Sequence, residues 1–561
     1  MKKSRKRSST KYVGRQPETP PQTVESVPAY LAYWLPLLTG LLVFAVVLKF
    51  PMTGIDDHAA TIENEAVTSF SPNTLFSHFN LGMYAPLTWM CYALAYRLGG
   101  ADAFWYHLLS LLTHLACIYL VVRLMLRMDG RHTLALGTGI LFASHPIQVE
   151  SVAWIAGFST PLYALFYLLA CHAWLDYAHD DKGLRAWAWA LGAFLLANLS
   201  KSAAVTLPLT LLVLDYWKKP TLSLRPRLLA LAPFFLIALG FGLLTIYGRA
   251  NAPMAFGDSA YGFTAFDRVF LLAYTPLFYW SKILLPIKLN IYYSFYKTEA
   301  TLPFWYYGAP LVLGTIAYLA WRVRHTHPYW AVGVLFFFAN ISVMLPWIPM
   351  GELELRGDHY NYLAAIGIFY ALAAFWLHQS ERRSWLKPIG YVWLTLCMLL
   401  AFRQVQTWQS MLSVLNNAIA NGYHKGGMMY FARGIEHGDI GKPTEAIEDF
   451  SRAIELQPDL RDAYKFRGSL YAQSGQLDLA MNDLNTYLRY DSTDLVTWNN
   501  LAMIHMQLGQ YESSITAFNK VIDLKPEAAI SYFNRSKIYE LMGEHEKSKE
   551  DLLRAERLAE K

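Results

Sequence analysis

The sequence predicts an all-α protein: a polytopic bundle of transmembrane helices followed by a solenoid of helical-hairpin repeats. Three observations predict it. Apolar runs of about 20 residues, enough to cross a bilayer, follow one another from Val27 to about Phe402. Charged residues make up 16% of the 561, against roughly 25% in an average soluble chain, and the shortfall lies in that same stretch. From about Gln409 the composition turns ordinary and a 34-residue period sets in.

The elements follow in order. Residues 1–26 carry seven basic side chains (Lys2, Lys3, Arg5, Lys6, Arg7, Lys11, Arg15) against Glu18 and Glu25. A basic segment directly before an apolar helix reads as a cytoplasmic anchor under the positive-inside rule. Nucleic-acid binding is a costlier explanation of the same charge. Spanning segments are expected near 28–50, 104–124, 133–149, 154–175, 186–199, 203–217, 228–248, 303–322, 329–346, 362–379 and 386–402. The stretches 82–98 and 268–286 are apolar but interrupted by Pro86 and Pro276, so each is expected to lie along the interface. Basic groups flank the spans: Arg123, Arg127 and Arg131; Lys182 and Arg185; Lys218, Lys219, Arg225 and Arg227; Arg322 and Arg324; Arg382, Arg383 and Lys387. If all of these loops are cytoplasmic, about eleven crossings result, with the N-terminus inside and the C-terminal domain outside. Cys91, Cys117, Cys171 and Cys397 fall within apolar segments without metal-ligand spacing and read as small core residues.

After a membrane domain over 27–405 and a linker or helix over 406–426, residues 427–561 repeat. Tyr430, Tyr464, Trp498 and Tyr532 recur at a 34-residue step, as do Gly441, Gly475, Gly509 and Gly543. Ala446, Ala480, Ser514 and Ser548 keep the same step, and so do Phe450, Leu484, Phe518 and Leu552. Pro458 and Pro526 stand two periods apart. The aromatic opens a first helix, the glycine permits a tight turn, the small residue lets two helices approach, and proline ends the second. This is the tetratricopeptide (TPR) pattern. About four units are expected, presenting a concave face to a protein or peptide, with the Lys/Glu-rich stretch 544–561 as a polar capping helix.

Polar residues in the membrane domain are informative because a charge at the bilayer centre costs about 2.5–3.5 kcal/mol on insertion scales. Four clusters stand out. Asp56, Asp57 and His58 follow the first span, with Glu63 and Glu65 beyond; paired carboxylates suit a general base, and a solvated loop is the plain alternative. His145 and Glu150 lie in His145-Pro146-Ile147-Gln148-Val149-Glu150; the alternative is an interfacial cap. Lys201, between Ser200 and Ser202, marks a helix break and suits a lipid phosphate or pyrophosphate; the alternative is a snorkelling lysine. Glu352, Glu354, Arg356, Asp358, His359, Tyr360 and Tyr362 mix charge with aromatics in one loop, as a ligand-handling segment or a salt-bridged external loop would. All four are expected on one membrane face.

The ordered set of motifs resembles the GT-C-type membrane glycosyltransferases joined to TPRs, whose eukaryotic members are the transmembrane-and-TPR O-mannosyltransferases. The matching stretches are Asp56-Asp57, Tyr84-Ala85-Pro86-Leu87-Thr88-Trp89, Phe104-Trp105-Tyr106-His107 and the segment His145 to Trp154. Ser200-Lys201-Ser202-Ala203-Ala204 and Gly357-Asp358-His359-Tyr360-Asn361-Tyr362 complete the set. The resemblance implies transfer of a sugar from a polyprenyl-phosphate carrier to a hydroxyl acceptor on the extracytoplasmic side, with inversion by direct displacement. It implies Asp57 first, and Asp56 second, as catalytic base, with Lys201 and Arg356 holding the donor phosphate. His58, His145, Glu150, Asp358, His359 and Tyr362 would line the sugar or acceptor pocket. Two departures are evident. Ala156-Gly157-Phe158-Ser159-Thr160 stands where the family often carries a charged run, and Asp358-His359-Tyr360 where it often has Asp-Arg-Tyr.

No cofactor is expected, and a divalent cation is not favoured, since two carboxylates lack a clear third ligand. The expected partners are the lipid-linked donor, the bilayer and a protein or peptide on the TPR face, with no nucleic acid. The basic segment and lack of sorting signals suit a bacterial inner membrane with the repeats in the periplasm. Two other classes remain open: a membrane-anchored TPR scaffold without catalysis, and a lipid or polysaccharide transporter. A transporter would place ionisable groups near the midplane, whereas here they gather at one mouth.

Overall fold

A computed structural model describes residues 27–219, 223–251, 263–295, 301–347, 355–422 and 427–560. Five helices in it are long and apolar enough to cross a membrane: Ala29–Lys49, Ala103–Met128, Ala156–Ala178, Leu224–Ala250 and Leu386–Gln406. Each coincides with an expected span. Shorter apolar helices cover His132–Ser144, Pro328–Met344 and Met411–Ala420. The most apolar stretch of Ala156–Ala178 is 78% buried, but that of Leu224–Ala250 is only 11% buried and that of Leu386–Gln406 17%. Such apolar, unburied helices suit hydrocarbon as their solvent. The chain is an integral membrane protein.

Helices Ala29–Phe44, Ala103–Met128, His132–Ser144 and Ala365–Arg382 pack together around one large apolar core. The two proline-marked stretches behave differently from each other. Pro86 sits at the first position of helix Pro86–Gly99, where its missing N–H costs nothing. That 14-residue helix is too short to span, and with Trp89, Tyr92, Tyr106 and Phe158 it forms a second, smaller core beside the loop after the first helix. Pro276 lies inside helix Ala265–Leu284. The only strands among the described residues are two-residue segments, Tyr293–Ser294 and Leu355–Arg356, paired antiparallel.

One end of the bundle collects the basic loops. Arg127 bridges Asp176 and Asp180, Lys182 bridges Asp176, and Lys218 donates to the Arg127 carbonyl. Asp215 there receives His179, Trp174 and Arg227. The loops holding Asp57, Glu150, Lys201 and Asp358 meet at the other end. The C-terminal array leaves from that second end.

Eight helices form four hairpins: Gly427–Asp439 with Pro443–Leu456, Arg461–Gln473 with Leu477–Tyr490, Leu495–Gln507 with Tyr511–Leu524, and Ala529–Leu541 with His545–Ala559. Gly441, Gly475, Gly509 and Gly543 all sit at φ between 71° and 77°, the left-handed turn that other residues resist. The stretch expected to cap the array is the second helix of the fourth hairpin.

The repeats also share an ion pair. Arg433, Arg467 and Arg535 each grip Asp449, Asp483 and Asp551 through two guanidinium bonds of 2.6–2.9 Å, sixteen residues on. In the third repeat the same two positions hold Leu501 and Ala517, both buried. One slot thus accepts either a bidentate pair or two apolar side chains. A half-pair leaves a buried charge alone, which costs about 3–5 kcal/mol, whereas apolar replacement of both partners is close to neutral. Asp483→Ala is therefore expected to raise hydrogen exchange across residues 461–490 strongly. The double change Arg467→Leu with Asp483→Ala restores most of the protection; exchange as fast as in the single variant would contradict this.

Candidate functional site

The loop after the first helix is built to separate its two carboxylates. Asp56 adopts φ 59°, a left-handed conformation uncommon outside Gly, Asn and Asp, and turns the chain sharply into the short helix Asp57–Ala60. Asp56 stays half-exposed while Asp57 is driven inside, 1% exposed. Three donors meet the Asp57 carboxylate: the Thr53 amide and hydroxyl at 2.8 Å each, and the Ala156 amide at 2.9 Å. Trp154 ties the same loop down through its indole N–H on the Ile55 carbonyl, 2.8 Å. Burial outweighs the three donors and pushes Asp57 up to about 7, inside the working range of a general base.

The segment His145–Phe158 forms the second wall. His145 caps a short 3₁₀ turn, accepting from the Ile147 amide at 3.2 Å, while its other ring nitrogen lies 2.9 Å from the Ile283 carbonyl. With both nitrogens committed to backbone and no exposure, His145 is a structural cap. Tyr362 is likewise fully buried, its hydroxyl 2.7 Å from His114 and its ring against Phe142.

Glu150 is the hinge of this wall. Its carboxylate accepts from the His359 amide at 3.0 Å and lies 2.7 Å from His359 Nδ1. Gly357 makes room for this contact, since a Cβ there would stand 2.7 Å from the His359 ring. Burial raises the Glu150 pKa, and the nearby Lys201 ammonium opposes the rise. Asp358 is buried beside it and raised by burial and by Glu150, with Lys282 and the Tyr293 hydroxyl opposing. That hydroxyl reaches both Asp358 oxygens at 3.0–3.1 Å. Arg356 lies over the rings of Phe278 (4.0 Å), Phe295 (4.4 Å) and Tyr274 (5.4 Å), a cation–π cage.

Lys201 ends helix Gly183–Ser200 and donates to the Thr160 hydroxyl at 2.8 Å. Thr160 and Ala156, which reaches Asp57, both belong to the segment where this chain departs from the family pattern. Its contacts there are uncharged ones to the two residues of greatest interest. His58 is exposed. Glu352 and Glu354, like the basic segment 1–26, lie outside the described residues.

Sequence reasoning missed Thr53, Lys282, Tyr293 and Trp408. Trp408 stacks on Trp154 with ring centroids 6.0 Å apart, joining the Glu150 segment to the chain that leads into the repeats. None of these four carries a motif; only the fold brings them in.

Fold and site together define a polytopic helical membrane protein with a carboxylate–imidazole–ammonium cluster at one end and a TPR array on the same side. Tetratricopeptide repeat families match residues 431–494 and 529–561, and a TPR repeat family matches 502–543. Among curated proteins, Protein O-mannosyl-transferase TMTC2 of Mus musculus is 30% identical over 276 residues, 46% of this chain and 32% of that protein. Its Homo sapiens counterpart is 32% identical over 194 residues, 31% and 23% of the two chains. A protein O-mannosyl-transferase of Caenorhabditis elegans is 21% identical over 391 residues, 67% of this chain and 54% of that one. A match that long cannot fit inside the repeats and must extend well into the membrane domain. The chain fits the transmembrane-and-TPR O-mannosyltransferase family that its motifs resemble, while spanning about a third of the mouse relative's length. Among solved structures, MamA is similar over 27% of this chain and 87% of that one, at 19% identity and a TM-score of 0.26, too slight to argue from.

The Asp57 geometry makes stability depend on pH. A carboxyl raised from the ordinary 3.8 to about 7 favours the fold while protonated. That contribution is complete below its unfolded pKa and is lost as pH climbs through about 7, on the order of 4 kcal/mol in all. The melting temperature of the native protein relative to Asp57→Asn is therefore expected to fall between about pH 4 and pH 7. A difference that stays constant over that range would show Asp57 to be ionised throughout.

Proposed function

We propose that this chain is a membrane glycosyltransferase that takes a sugar, mannose in its named relatives, from a polyprenyl-phosphate carrier and places it on a hydroxyl of a protein acceptor. The observation that carries this reading is convergence: four loops distant in sequence bring Asp56, Asp57, Glu150, Lys201, Asp358 and His359 to one end of the bundle. The relatives' printed activity and the shared order of motifs support it.

In the proposed reaction a carboxylate after the first helix takes the acceptor hydroxyl proton. The acceptor oxygen bonds to the anomeric carbon from the face opposite the carrier, the carbon–oxygen bond to phosphate breaks, and the carrier phosphate leaves with the electron pair. Asp57 and Asp56 share the task unequally. Asp56, half-exposed, is the group an acceptor meets. Asp57, buried and triply bonded, positions the loop. Lys201 stands to offset charge on the departing phosphate, with Arg356 contributing from its aromatic cage. His58 is the exposed imidazole beside the pair, and the Glu150–His359 and Asp358–Tyr293 contacts shape the pocket floor. The repeats recruit the acceptor on the same side, in this reading the periplasmic face of a bacterial inner membrane with the N-terminus in the cytoplasm.

A second reading, a TPR scaffold without catalysis, draws on the burial of Asp57, Glu150 and Asp358 and their close partners. Purified protein given polyprenyl-phosphate mannose and a hydroxyl-bearing peptide decides between them by release of free polyprenyl phosphate. Asp56→Asn is expected to lower release about 10²–10⁴-fold without moving the melting temperature, whereas Asp57→Asn lowers both. Equal turnover by Asp56→Asn would remove it as the base. No release with any sugar, alongside retained peptide binding, would leave the scaffold.

A further inference from the structure

A cavity of about 510 Å³ opens beside the loop that carries the carboxylate pair. It lies between the end of the first helix (Leu48, Lys49, Phe50) and the start of helix Ala103–Met128 (Ala103, Phe104), with His58 on its lip. Lys49 and His58 are both exposed and neither has an acidic partner among the described residues. The one acid in the lining, Asp102, is engaged: its carboxylate accepts the Phe104 amide at 3.0 Å and caps that helix.

What lies below the cavity distinguishes its occupant. Phe104, Leu112 and Tyr119 form an exposed stripe down one face of helix Ala103–Met128, at 37%, 55% and 42% exposure. Leu41 (42%) continues the matching face of the first helix, and Tyr33 meets Tyr119 with ring centroids 5.2 Å apart. The two faces thus lie side by side in a seam that leads away from the cavity. From Phe104 to Tyr119 a helix rises about 22 Å, the reach of a long acyl chain. A soluble anion would use the cationic mouth and leave the seam empty. A lipid uses both.

We propose that this cavity and seam form a binding site for a lipid-borne phosphate, with Lys49 and His58 at the phosphate and the hydrocarbon chain laid along the seam of the first helix and helix Ala103–Met128. The site does not depend on the sugar-transfer reading. Its ligand is an anionic phospholipid of the bilayer, a phosphate ester on a hydrocarbon anchor. Occupancy there would brace the loop that bears Asp56 and Asp57.

The test is native mass spectrometry of the full chain released from nanodiscs of phosphatidylcholine with and without phosphatidylglycerol. The wild type is expected to retain a phosphatidylglycerol that Lys49→Ala/His58→Ala retains about tenfold less. Size-exclusion profile and melting temperature should match, because both side chains are exposed. Added polyprenyl phosphate is expected to leave the phospholipid in place; its displacement would overturn the assignment to the bilayer lipid. Leu112→Trp, which crowds the seam without touching the charges, should weaken retention as well. Equal retention by wild type and double variant, or no preference for phosphatidylglycerol over phosphatidylcholine, overturns the proposal.

Discussion

Hydrocarbon accepts no hydrogen bonds, and that single constraint arranges everything else in this protein. Every backbone polar group crossing the bilayer must be satisfied within a helix, so irregular chain and ionisable side chains are driven to the two ends of the bundle. At one end the result is a solvated lattice of Arg127, Asp176, Asp180 and Lys182. At the other, four irregular loops must satisfy their polar groups against one another. Asp57 on the Ala156 amide, Trp154 on the Ile55 carbonyl, Thr88 on the Ser200 carbonyl and Glu150 on the His359 amide are cross-loop bonds of 2.8–3.0 Å. The cluster that looks like chemistry is also what stitches the mouth together.

The same economy fixes the repeat array to the mouth. Helix Met411–Ala420 buries Val414, Leu415 and Ala418 in the membrane domain's own core. Asn417 and Asn421 both donate to the Leu289 carbonyl, Asn290 donates to the Ala418 carbonyl, and Arg433 of the first repeat reaches Asn416. Asn290 also gives its amide to the Tyr293 hydroxyl, which holds Asp358. The segment expected as a linker or helix thus holds a docked helix that ties the first repeat to this end of the membrane domain.

Much of the fold was legible because its signals are long and periodic. Apolar runs of membrane length located the five full-length spans, and four columns at a 34-residue step located the hairpins to within a residue or two of their turns. The site was legible only as a set of loops. That Asp56 turns outward and Asp57 inward depends on one left-handed φ and on Thr53, and identical neighbouring residues in a sequence carry no sign of which is which. His145 and Tyr362 are held as a helix cap and a core residue by elements far along the chain, Ile283 and His114 among them, which no local pattern announces. Tyr293 and Trp408 were invisible because a lone aromatic among 85 tyrosines, tryptophans and phenylalanines has no pattern to betray it.

The division between Asp56 and Asp57 bears on how such a mouth can keep both order and reactivity. A carboxylate that holds a loop in place must be desolvated, which raises its pKa and removes it from solvent, and bonded, which opposes that rise. One that abstracts a proton must stand where its acceptor can reach it. A single residue satisfies both demands poorly. Two adjacent ones, set on opposite sides of a sharp turn, satisfy them separately, because the strain that buries the second is what projects the first. Glu150 and Asp358 repeat the first half of that arrangement without the second, being buried. Among the acids that four loops place at this mouth, Asp56 combines partial exposure with a position fixed by a buried neighbour, and the proposed reaction draws on that combination more than on the presence of acids as such.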